Sequence, residues 1–61
     1  MTLTRDKELW AVALQIEQIH GPDAAEFIEG RILKFEQESD EGGANLWRQI
    51  AERYFALNPD A

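Results

Sequence analysis

Apolar residues recur along the first third of this chain at the spacing of a helix face. They stand three or four positions apart, the period expected of an amphipathic helix. Thr4 is a suitable N-cap, and His20 followed by Gly21 is a typical helix end. The pattern therefore predicts a helix over about residues 5–20. Its apolar positions are Leu9, Trp10, Val12, Ala13, Leu14, Ile16 and Ile19.

Two further stretches repeat this period and predict helices over about residues 23–38 and 41–57. Asp40 is the predicted N-cap of the third helix, with a start at Asn45 as the alternative. No run of alternating apolar and polar residues indicates a strand. We therefore predict an all-α fold, a compact three-helix domain spanning residues 1–61. The short loops favour antiparallel packing of neighbouring helices.

Three ionisable residues fall inside the predicted apolar arcs. Glu17 and His20 lie on the apolar side of the first helix, and Arg31 lies between Phe27 and Phe35 on the second. Buried charges are rare unless they are paired. We therefore predict a buried ion pair between Glu17 and Arg31. The alternative is that both side chains extend along their stems to water.

Glu17 and His20 also stand three residues apart, which is one Glu-x-x-His step of a carboxylate-bridged di-iron bundle. Such a site needs two steps and further inward-facing Glu residues, and the chain has only one His and no Cys. His20 is better interpreted as a helix end, where a cation complements the helix dipole. Ser39 lies at a helix boundary without a nucleophile elbow. We therefore predict no catalytic residues, no metal site and no cofactor.

The charge composition of the chain disfavours some classes of binding partner. The 61 residues include twelve acidic and six basic side chains, a net charge of −6. This charge disfavours nucleic acid and anionic membranes, which are bound through Lys and Arg. No apolar run approaches the 18 residues of a membrane span. A cytoplasmic location is the resulting expectation.

The apolar arc of the first helix covers more than half of its circumference, which exceeds what a three-helix core can bury. Gly43, in contrast, leaves a gap in the arc of the third helix where another helix can approach closely. The surplus apolar residues indicate a protein partner or self-association as a homodimer. The candidate interface residues are Trp10, Leu14, Val12, Ile19, Leu33 and Phe55.

A set of residues spread along the chain also resembles the pattern of a known family. The set consists of Trp10, Ala11, Ala13, Leu14, Ile16, Glu17, His20, Gly21, Ala24, Phe27, Arg31, Ile32, Asp40, Gly43, Trp47, Ile50, Ala51 and Arg53. It resembles small uncharacterised bacterial proteins, chiefly alphaproteobacterial, that are classed as a domain of unknown function. The chain departs from that pattern at Gly30, where an acidic residue is usual, and at Ser39, where Gly is usual. The resemblance implies a compact helical fold and adds no activity, substrate or cofactor.

These observations favour a small acidic, non-enzymatic protein-interaction or regulatory module. A helix-turn-helix-like nucleic-acid regulator, or an acidic mimic of nucleic acid, is the alternative. The third helix offers only Arg48 and Arg53 as basic residues for such a role. A metal-binding or catalytic protein that uses Glu17 and His20 is the least favoured hypothesis.

Overall fold

The computed structural model describes residues 5–59 and contains no β-strand among them. Three α-helices follow one another: α1 at Arg5–His20, α2 at Ala24–Gln37 and α3 at Glu41–Leu57. The predicted all-α class is confirmed, and the predicted bounds of α1 and α3 agree with the structure. The predicted N-cap Thr4 lies outside the described residues.

A 3-10 turn at Gly21–Asp23 joins α1 directly to α2. The count of three helices therefore holds only loosely, because the chain stays helical from residue 5 to residue 37. Gly21 has a φ of 55°, the left-handed conformation that glycine adopts most readily. The sequence predicted this residue as the stop of α1, and the predicted start of α2 at residue 23 falls inside the turn.

The link between α2 and α3 is a tight capped turn. Ser39 has a φ of 58°, and the backbone N–H of Asp40 donates to the carbonyl of Phe35 at 2.8 Å. The Asp40 side chain accepts from the backbone N–H of Gly43 at 3.0 Å and so satisfies a free donor of the first turn of α3. The predicted N-cap is confirmed, and α3 begins at Glu41 rather than at Asn45.

α2 and α3 pack against each other as antiparallel neighbours. Close to the turn, Gly43 faces Phe35, and a Cβ atom placed on Gly43 would lie 2.7 Å from Cε1 of that ring. Farther from the turn, Phe27 meets Trp47 edge to face, with ring centroids 5.7 Å apart. The predicted close approach at Gly43 is confirmed, because only a residue without a side chain leaves room for the ring.

α1 packs mainly on α3 and contacts α2 less. Near its start, Asp6 pairs with Arg53, with 2.5 Å between Oδ1 and the guanidinium nitrogen. Near its end, Glu17 accepts a hydrogen bond from Nδ2 of Asn58 at 3.0 Å. Both partners lie in the C-terminal part of α3 or at its C-cap, so these polar contacts hold α1 against that part of the helix. This differs from the predicted antiparallel packing of α1 along α2.

The core formed by this arrangement is small. Three alanines, one on each α-helix, are almost completely buried, which lets the helix backbones approach. Among the described residues Ile28 is the one large side chain that is fully buried, and no charged side chain is buried. The fold is correspondingly flat, 32 × 31 × 18 Å. The central cluster comprises Leu9, Ala13, Ile16, Ala24, Ile28, Ile50 and Tyr54.

None of the helices within residues 5–59 is long and apolar enough to cross a membrane.

Candidate interaction surface

The structure leaves every predicted interface residue exposed to solvent. Their exposed fractions range from 37% for Trp10 and Val12 to 66% for Ile19. Leu14, Leu33 and Phe55 lie between these limits. The exposure of these six side chains is thus observed, whereas their role in an interface remains a prediction.

Four of the six lie on α1, whose side away from the core we call the α1 outer face. Within residues 10–19 this face holds seven exposed residues, and none of them is charged. Glu17, the one carboxylate in residues 10–19, is half-buried and bonded to Asn58. The face is therefore apolar with two neutral amides. Its members are Trp10, Ala11, Val12, Leu14, Gln15, Gln18 and Ile19.

An open groove adjoins this face where α1 crosses α3. It has a volume of about 390 Å³, and Val12 forms part of both the groove and the α1 outer face. Trp47 lines the groove from α3 and contacts Phe27 on α2. Arg5 and Glu8 lie at the groove as well, so one cation and one anion border an otherwise apolar wall. The apolar lining residues are Leu9, Val12, Leu46, Trp47 and Ile50.

The other two predicted interface residues lie on separate helices. Leu33 projects from α2, where its neighbours one helical turn away include Glu29 and Glu36. Phe55 lies on α3 and packs edge to face against Tyr54, with centroids 5.3 Å apart. Leu57 is also 40% exposed, and the sequence analysis did not single it out. Its position at the last residue of α3 was the available signal, since helix ends are often uncovered.

The structure gives Glu17 and Arg31 different partners from those predicted. Asn58 donates to Glu17, and the Arg31 guanidinium lies over the Phe27 ring, 5.1 Å from its centroid. Both side chains are half-buried rather than buried. The predicted buried ion pair is corrected, because α1 crosses α3 instead of lying along α2, which keeps Glu17 away from the Arg31 side of α2.

His20 ends α1 and stacks on Phe27, with ring centroids 4.0 Å apart and an interplanar angle of 18°. This ring contact, together with the Asn58 bond of Glu17, occupies both members of the Glu-x-x-His step. Within residues 5–59 no three His, Asp or Glu side chains lie close enough to hold a metal ion. His20 thus packs at the α1–α2 junction, and Glu17 joins α1 to the C-cap of α3.

A second, more polar groove of about 690 Å³ lies beside the α2–α3 turn. Two of its three carboxylates already have partners, because Glu36 forms an ion pair with Arg48 and Asp40 caps α3. Arg53, the other arginine of α3, pairs with Asp6 and also lies 3.6 Å from Glu52. Both arginines of α3 are therefore engaged within the chain.

Comparison with known proteins gives a family and nothing further. A family model described as "Family of unknown function (DUF6961)" matches residues 5–61, nearly the whole chain. This match confirms the resemblance to a family of unknown function. No curated protein and no solved structure matches the chain.

Proposed function

The chain belongs to this family of unknown function, and we propose from its surface that it is a small non-enzymatic protein-interaction module. The α1 outer face is the proposed contact surface. One observation carries the proposal: all seven exposed residues of α1 between positions 10 and 19 are uncharged, in a chain of which 30% is charged. Contiguous apolar surface of this kind typically marks an interaction site.

Binding by this face has a clear physical source. Trp10, Val12, Leu14 and Ile19 would each remove apolar area from water, at about 25 cal/mol per Å². Trp10 is also held in place, because its indole N–H donates to Asp6 at 3.2 Å. A side chain that is already ordered loses less rotamer entropy on binding.

A nucleic-acid regulator is less well supported than a protein-interaction module. The basic residues that such a role would use are Arg48 and Arg53, and both are paired with carboxylates of this chain. Phosphate contact would require these pairs to break, and the net charge of −6 would repel the phosphates. No observation specifically favours the acidic-mimic alternative over ordinary surface acidity.

Photo-crosslinking inside cells tests the proposal. A photoreactive phenylalanine analogue at Ile19 should give discrete protein adducts, because this residue is the most exposed large apolar side chain of the α1 outer face. The same analogue at Gln37, an exposed position on α2, is the control. Adducts from position 19 alone support the proposal. Equal labelling from both positions, or no adduct from position 19, would contradict it.

A further inference from the structure

We infer that the partner of the α1 outer face is a second copy of this chain, paired antiparallel through α1. This inference rests on the proposed function and names its partner. Three observations carry it: the absence of charge on the face, the chemistry of its two polar residues, and the distribution of charge at the two ends of α1.

Charge limits where two copies can meet, because two identical chains of net charge −6 repel each other. Self-pairing is least unfavourable where the facing surfaces carry no charge. The α1 outer face meets this condition over residues 10–19. The exposed residues of α2 include Glu26, Glu29, Lys34 and Glu36, and those of α3 include Glu41, Arg48 and Glu52. Among the described helices, α1 thus offers the surface on which two copies meet with the least electrostatic cost.

The polar residues of the face are self-complementary. Gln15 and Gln18 are both exposed, and each amide carries donors and an acceptor. A two-fold interface brings the same patch of both copies together. An amide can donate to and accept from its own copy, which a carboxylate or an ammonium cannot do. The face can therefore satisfy its polar groups against an identical surface.

The ends of α1 favour the antiparallel orientation. The start of α1 carries both signs of charge, because Arg5 and Lys7 lie beside Asp6 and Glu8. The other end leads into Asp23 and Glu26, both exposed. Antiparallel pairing places the mixed-charge end of one copy near the acidic end of the other, while parallel pairing brings the two acidic ends together. With the axis near residues 14 and 15, Ala11 faces Gln18 of the second copy.

Sedimentation velocity of the purified chain over a wide concentration range is the first test. The face is short, and small interfaces are weak, so we expect a dimer with a dissociation constant in roughly the micromolar range or above. Gln15→Glu is nearly isosteric and brings two like charges close together near the axis. It should weaken the dimer at least about tenfold. Gln37→Glu makes the same chemical change on α2 and should leave association unchanged.

A charge-swap mixture makes the result specific to self-pairing. Gln15→Lys should also weaken its own dimer, and an equimolar mixture with Gln15→Glu should regain association. Regained association together with an unaffected Gln37→Glu variant supports the inference. A chain that stays monomeric at every accessible concentration, or equal losses in Gln15→Glu and Gln37→Glu, overturns it. If adducts from position 19 then contain other proteins only, the proposed function stands and the self-pairing fails.

Disulfide trapping tests the orientation, since the chain has no cysteine of its own. A mixture of Ala11→Cys and Gln18→Cys chains should oxidise mainly to the mixed dimer if α1 pairs antiparallel. Circular dichroism of each reduced variant checks that the helices are intact. Predominance of the two homodimers would show parallel pairing and overturn the assigned orientation.

Discussion

The contact between α2 and α3 extends from the capped turn at Asp40 to the ring pair of Phe27 and Trp47, whereas α1 is tied to α3 by one polar contact near each end. The packing of α2 against α3 thus depends on contacts between two helices that follow each other directly in the chain. α1 buries Leu9, Ala13 and Ile16 but leaves apolar side chains on its opposite face.

The difference separates two kinds of apolar residue in one small protein. Residues at the α2–α3 contact hold the fold together, so changes there should alter the free energy of unfolding. Residues on the α1 outer face are already in contact with water, so changes there should alter association and leave folding nearly intact. The following variants test how changes at the α2–α3 contact alter the free energy of unfolding, in comparison with changes on α1. They are given from the largest expected effect to the smallest.

Gly43→Ala should have the largest effect on the free energy of unfolding. The added methyl would lie 2.7 and 2.8 Å from two carbons of the Phe35 ring, so the ring or the helix must move. Overpacking costs about 1–3 kcal/mol, and contacts this short place the cost toward the upper end of that range, above the gain of about 1 kcal/mol from the higher helix propensity of Ala. Urea denaturation followed by circular dichroism, at low protein concentration, measures the loss.

Gly30→Ala is the matched control for Gly43→Ala. Gly30 is exposed in the middle of α2, and a Cβ placed there meets nothing within 4 Å. The same substitution should therefore stabilise the protein by about 0.5–1 kcal/mol through helix propensity alone. If both variants shift stability in the same direction, the close contact between Phe35 and Gly43 does not determine the α2–α3 packing.

Asp40→Ala should cost about 1 kcal/mol of stability, because the N–H of Gly43 loses its side-chain acceptor at the start of α3. Asp40→Asn keeps an acceptor oxygen and should recover most of the loss. Thermal unfolding of the three proteins at one concentration gives the comparison. An Asn variant as unstable as the Ala variant would mean that the charge, and not the cap, is what matters.

Ser39→Gly should raise stability by roughly 0.5 kcal/mol. Ser39 has a φ of 58°, which is unfavourable for a residue with a Cβ, and glycine removes that cost while adding some entropy to the unfolded chain. The substitution restores the residue that is usual in the pattern the chain resembles. Ser39→Ala retains the Cβ and should give no gain in denaturant midpoint, so a gain in both variants would rule out backbone strain as the cause.

The sequence predicted those parts of the fold that depend on local patterns. The bounds of α1 and α3 followed from the apolar period together with the His20–Gly21 stop and the Asp40 cap. The exposure of Trp10, Leu14 and the other surplus apolar residues followed from an arc too wide for one core. Each of these features depends on residues within a few positions of one another.

The partner of Glu17 could not be predicted in the same way. A helical wheel shows which side of α1 a residue lies on, but it does not show which helix covers that side. The wheel placed Glu17 toward the interior correctly, and the choice of Arg31 assumed that α1 lies along α2. The bond to Asn58 depends on α1 crossing the end of α3, an arrangement set by tertiary packing of Leu9, Ala13 and Ile16.

The two polar contacts of α1 should each contribute only a few tenths of a kcal/mol, the smallest of these effects. Asp6→Asn weakens an exposed ion pair with Arg53. Exposed ion pairs contribute about 0.2–1 kcal/mol to the free energy of unfolding. Glu17→Gln keeps an acceptor oxygen for Asn58 in a half-buried position.

Salt separates the two contacts, since it screens exposed charge pairs. The cost of Asp6→Asn should shrink toward zero as ionic strength rises in denaturation experiments, while that of Glu17→Gln should change little. A loss above about 2 kcal/mol in either variant would mean that these contacts, rather than the buried strip of α1, hold the helix in place.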